Sequence, residues 1–62
     1  MTKLETLKDR EMVLKIKYVT QEQIYINNYY YDHTVAMIAF DLMNGLEAEL
    51  VAVRAEITGL NV

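Results

Sequence analysis

The clearest pattern of apolar residues lies in the second half of the chain. Eight positions follow alternating steps of three and four, which places them on one side of an α-helix. These positions, here called the heptad seam, are Ala36, Ala39, Met43, Leu46, Leu50, Val53, Ile57 and Leu60. A flanking line of Val35, Ile38 and Leu42 widens the apolar side at its start. The spacing predicts a helix over residues 35–58, and we expect the heptad seam to mediate self-association.

Gly45 lies inside this pattern and raises the question of a break. Asn44-Gly45 would suit the end of one helix, and the acidic residues that follow would suit the first turn of another. The heptad nevertheless keeps its phase across Gly45, and an interior glycine costs only about 1 kcal/mol relative to alanine. A single helix is therefore favoured, and Thr58-Gly59 predicts its end.

The first half of the chain supports two interpretations. Thr2 and Glu5 match a capping box, and residues 3–11 are good helix formers. Residues 14–18 alternate like a strand, and residues 24–31 are rich in strand-favouring Ile and Tyr. Against a strand, no glycine or proline occurs before Gly45, and Thr20-x-x-Gln23 is a second candidate capping box.

Two architectures follow from this conflict. The first is all-α: a helical hairpin of helix 3–31 against helix 35–58, with a turn at 32–34, that self-associates into a bundle. The alternative is α+β: a β-hairpin within residues 12–31, with strands 12–19 and 24–31, followed by the long helix. In both, residues 1–62 form a single small domain that buries too little of its own apolar surface, so both predict a homo-oligomer.

Composition agrees with a folded but marginal domain. Apolar residues make up 53% of the 62 residues, which is too many for a disordered chain. The chain has no cysteine, so no disulfide can stabilise a core of this size. Small domains without such staples often gain buried area by associating.

Charge narrows the expected partners and location. The net charge is −3, and the first 17 residues carry five basic and three acidic side chains, whereas residues 18–62 carry one basic and six acidic. An acidic chain attracts a phosphate backbone poorly, so nucleic acid is a disfavoured partner. The longest strongly apolar run, residues 35–40, is far shorter than the roughly 20 residues that span a bilayer. With no leader-like start, we expect a cytoplasmic protein without a membrane partner.

The residues available for catalysis are few. The chain has neither cysteine nor serine, and no glycine-rich phosphate loop. His33 is the only histidine, and its neighbour Asp32 points in a different direction on any helix. We therefore expect no catalytic residue, no metal site and no cofactor, and a turn or N-cap role for Asp32-His33-Thr34.

A cluster of tyrosines is the most distinctive feature. Five tyrosines lie within 14 residues, and four of them are candidate partner-binding residues: Tyr25, Tyr29, Tyr30 and Tyr31. Tyrosine is enriched in binding surfaces because it offers a large amphipathic contact area at little entropic cost. The same side chains would also suit a core or a contact between chains. The sequence favours a small oligomeric module that binds another protein non-covalently, as an adaptor or inhibitor.

Two other functions stay open at this point. One is a dimeric nucleic-acid-binding regulator whose first half is a β-ribbon that presents Lys15, Lys17 and the tyrosines. The other is an oligomer that holds a small molecule or nucleotide between its chains. Net negative charge disfavours the first, and no residue pattern identifies a ligand for the second.

Overall fold

The computed structural model describes residues 2–60, which form two antiparallel helices joined by a tight turn. Helix α1 spans Lys3–Asn28 and helix α2 spans His33–Leu60. Residues 2–60 contain no strand, so the all-α hairpin is confirmed and the alternative with strands 12–19 and 24–31 is wrong. The hairpin measures 46 × 17 × 11 Å.

The start of α1 confirms the N-cap half of one of the two predicted capping boxes. The Glu5 backbone N–H donates to Thr2 Oγ1 at 3.1 Å, so Thr2 is the N-cap. The second candidate box is wrong, because Thr20 lies inside α1. Its hydroxyl donates instead to the backbone carbonyl of Ile16 at 2.9 Å.

The turn comes earlier than the sequence predicts. Helix α1 ends at Asn28 rather than at residue 31, and the backbone N–H groups of Tyr31 and Asp32 both donate to the Asn28 carbonyl, at 3.2 and 2.9 Å. Asp32 Oδ1 then accepts from the backbone N–H of Val35 at 3.2 Å, which caps α2. The N-cap role predicted for the Asp32-His33-Thr34 segment therefore falls to Asp32. Because no described residue has a positive φ, this turn needs neither glycine nor proline.

Helix α2 is a single helix, as predicted, and is longer than predicted at both ends. It runs without a break through Gly45. The predicted stop at Thr58-Gly59 is wrong, because both residues are helical and the Thr58 hydroxyl donates to the Arg54 carbonyl at 2.9 Å.

The core is a thin layer between the two helices. Its central cluster consists of Leu7 and Leu14 of α1 against Leu50 and Val53 of α2. Three half-buried apolar side chains pack around that cluster: Tyr18, Leu46 and Ile57. Nearer the turn, Ala36 and Ala39 are fully covered.

Helix α1 contributes a heptad of its own, which the sequence analysis missed. Its α2-facing positions also step by three and four, and every one of them is buried or half-buried: Leu4, Leu7, Glu11, Leu14, Tyr18, Gln21, Tyr25 and Asn28. Three of the eight are polar, which hides the pattern in a search for apolar periodicity. The fold is therefore an antiparallel helical hairpin in which both facing sides have heptad spacing.

Candidate functional site

The heptad seam of α2 lies against α1. Ala36, Ala39, Leu50 and Val53 are buried, whereas Leu60 at the open end is 44% exposed. The remaining three seam residues, Met43, Leu46 and Ile57, are half-buried. The residues that the sequence assigns to self-association are thus covered within a single chain, apart from Leu60. Within this seam, a second chain has access to Leu60 and to the half-buried Met43, Leu46 and Ile57.

Two side-chain contacts define how the helices are aligned. Near the open end, Arg54 Nε donates to Glu11 Oε2 at 3.0 Å. Near the turn, the rings of Tyr25 and Phe40 lie 5.7 Å apart. The ion pair is partly exposed, so it contributes at most about 1 kcal/mol. Both contacts belong to the antiparallel arrangement, which sets the basic first half of α1 beside the acidic second half of α2.

The tyrosines form a connected aromatic cluster at the turn end of the hairpin. Tyr25 meets Tyr29 edge to face at 5.4 Å, and Tyr29 meets Tyr30 edge to face at 5.0 Å between ring centroids. Phe40 joins from α2 through its contact with Tyr25. Edge-to-face pairs of this kind are worth about 0.5–1.5 kcal/mol beyond the area they bury, so each ring helps to orient the next.

Exposure increases along this cluster toward the tip of the molecule. Tyr25 is half-buried, Tyr29 is 44% exposed, and Tyr30 and Tyr31 are 88% and 90% exposed. Tyr25, Ile26, Tyr29 and Tyr30 line a shallow depression of about 260 Å³. The structure therefore brings Tyr25, Tyr29 and Tyr30 together, and leaves Tyr31 beside them outside the ring contacts seen within residues 2–60. We call Tyr25, Tyr29, Tyr30, Tyr31 and Phe40 the tyrosine tip.

Comparison with known proteins finds no relative of this chain. No family model, curated protein or solved structure matches this chain. Function has to be inferred from the geometry of the hairpin alone.

The remaining chemistry of the described residues is sparse. His33 is exposed at the first position of α2, and residues 2–60 contain no group of three or more potential metal ligands. Over the same range, no buried side-chain nitrogen or oxygen lacks a hydrogen-bond partner. No helix in this part of the chain is long and apolar enough to cross a membrane. Nothing in the described range therefore offers a buried polar group to a ligand or substrate.

Two open grooves run along the same side of the hairpin. One, of about 360 Å³, has charged side chains on both helices, among them Lys15 and Glu22 of α1 and Glu47 and Arg54 of α2. The other, of about 330 Å³, lies nearer the open end and includes Met12 and Ile57. Both are open to solvent, so they resemble contact surfaces more than small-molecule cavities.

Sequence reasoning missed Phe40 as a member of the tyrosine tip. Phe40 is separated from Tyr25 by 15 positions and reaches it only because the hairpin folds back. The signal that would have found it is the α1 heptad, which sets Tyr25 on the side of α1 that faces α2.

Proposed function

We propose that this protein is a small interaction module that binds another protein through its tyrosine tip. The observation that carries the proposal is the near-complete exposure of Tyr30 and Tyr31, at 88% and 90%, next to an ordered cluster of rings. Two adjacent exposed aromatic side chains at one end of a hairpin are typical of a binding surface and not of a core.

Physical chemistry supports a protein partner over other classes. Tyrosine side chains lose little entropy when they are fixed, and they combine apolar area with a hydrogen-bonding hydroxyl. Because the net charge is −3, a polyanion gains little from this surface. The β-ribbon through which a nucleic-acid regulator would have acted is replaced by helix α1.

The proposal predicts that the exposed tyrosines are required for binding and dispensable for folding. We expect Tyr30→Ala/Tyr31→Ala to keep the circular dichroism spectrum of the parent chain and to lose at least about tenfold in affinity for the partner, since hot-spot aromatics contribute upward of 1–2 kcal/mol. A photo-cross-linking residue at position 30 should identify that partner in extracts of the source cells. The matched control is Val51→Ala, which removes an apolar side chain that is 60% exposed and remote from the tip.

A partner that cross-links from position 30 and binds the double-alanine chain with unchanged affinity would contradict the proposal. So would a partner whose binding falls equally in Val51→Ala, because the tip would then not be the contact site.

A further inference from the structure

Helix α1 carries a second apolar stripe on the side that faces away from α2. Its positions step by four and three, as a coiled-coil face requires, and they are Met12, Ile16, Val19, Gln23 and Ile26. The four apolar members are exposed, at 61%, 60%, 46% and 55% in that order. No charged residue interrupts this outer α1 stripe.

The single chain exposes more large apolar residues than it buries in its core. Six apolar residues are buried among those the structure describes, whereas fifteen large hydrophobic residues are exposed. On α2 the corresponding line of Val35, Ile38 and Leu42 continues in phase to Gly45 and Glu49, so it ends after two turns. The outer α1 stripe therefore presents four large exposed apolar side chains, one more than the α2 line.

Charges beside the stripe indicate what covers it. Lys15 and Glu22 are seven residues apart, so they lie on the same flank of the stripe, while the other flank carries the uncharged Val13, Thr20 and Asn27. An antiparallel pair of identical helices brings like flanks together, which sets opposite charges side by side. A parallel pair would set each charged flank against the uncharged one, so it would gain no attraction between charges.

We infer that two copies of this chain form a symmetric dimer in which their outer α1 stripes pack antiparallel about a two-fold axis near Val19. Lys15 of each copy then lies beside Glu22 of the other, so the contact occurs twice, as two-fold symmetry requires. This dimer goes beyond the proposed function, because it is centred on Val19. It shares Ile26 with the depression at the tyrosine tip, whereas Tyr30 and Tyr31 lie beyond the end of the stripe.

The apolar part of the inference is tested by Ile16→Lys. We expect sedimentation equilibrium to give twice the chain mass for the parent protein, and the variant to raise the dimer Kd by at least about 30-fold. Val51→Lys is the matched control, since Val51 on α2 has the same 60% exposure and lies off the stripe. It should leave the dimer Kd within about twofold of the parent value.

The register is tested by charge exchange, which also covers the case in which Ile16→Lys fails to fold. Lys15→Glu and Glu22→Lys should each raise the dimer Kd about three- to tenfold, because each change replaces two attractions by two repulsions. The combined Lys15→Glu/Glu22→Lys chain should return to within about twofold of the parent. Asp41→Lys, on the exposed side of α2, is the control for charge reversal as such.

Several results would overturn the inference. They are a single-chain mass at concentrations up to about 1 mM, a dimer that survives Ile16→Lys, and a double variant no better than the single ones. A dimer that behaves as expected while the tyrosine variants still bind their partner would refute only the proposed function. Partner binding by a strictly monomeric chain would refute only the dimer.

Discussion

Asp32 shows how one side chain sets the position of the turn. Its carboxylate accepts the backbone N–H of Val35, and its own N–H donates to the carbonyl of Asn28. The residue therefore ends the turn that follows α1 and begins α2 at the same time. Because the chain reverses without any positive φ, this capping hydrogen bond takes the place of turn-forming glycine.

Replacement of Asp32 by alanine should destabilise the hairpin by about 1 kcal/mol, since an N-cap acceptor is lost. Urea unfolding followed by circular dichroism measures the change. Asp32→Asn keeps the acceptor and removes the charge, so it should retain most of the stability. If Asp32→Asn lost as much as Asp32→Ala, the contribution would come from the charge near the helix N-terminus and not from the cap.

At the scale of the elements, the two apolar sides of α1 explain why its sequence supports both a helix and a strand. Leu14 and Tyr18 face α2, whereas Ile16 between them belongs to the outer α1 stripe. A helix with two apolar sides thus produces an apolar residue at every second position, which is the period of a strand. Helix α2 has one long apolar seam, so its periodicity predicted its type correctly.

The candidate site was predictable only in part from the sequence. The tyrosines could be found from the sequence alone, because they are consecutive or one helical turn apart. Their connection to Phe40 could not, since it depends on the register between the helices. The α1 side of that register is hidden in the sequence, because the polar residues Glu11, Gln21 and Asn28 occupy three of its seam positions.

Gly45 provides a test of the continuity of α2. It lies in a regular helix, and a Cβ added there meets no atom within 4 Å. Gly45→Ala should therefore raise the free energy of unfolding by about 0.5–1 kcal/mol. Ala48→Gly, one turn further along the exposed side, should lower it by a similar amount. A loss of stability in Gly45→Ala would mean that Gly45 allows a close approach by a second chain.

At the scale of the whole molecule, the antiparallel fold places segments of opposite net charge next to each other. The basic start of α1 lies beside the acidic part of α2. The Glu11–Arg54 ion pair joins the minority charges of these segments, an acidic residue of the basic one and a basic residue of the acidic one. The core residues are covered inside the chain, whereas the apolar residues of the outer α1 stripe and most of the tyrosine tip are exposed.

The measurement that tests this account most directly is the distance between α1 and α2 near the open end of the hairpin, within one chain. The chain has no cysteine, so Asp9→Cys/Glu56→Cys can carry two spin labels without interference. Dilution into excess unlabelled protein restricts the readout to pairs within one chain. The hairpin predicts a short distance, on the order of 10–30 Å once the reach of the labels is added to the spacing of packed helices. A distance of roughly 70 Å, the length of a continuous helix between these positions, would contradict it.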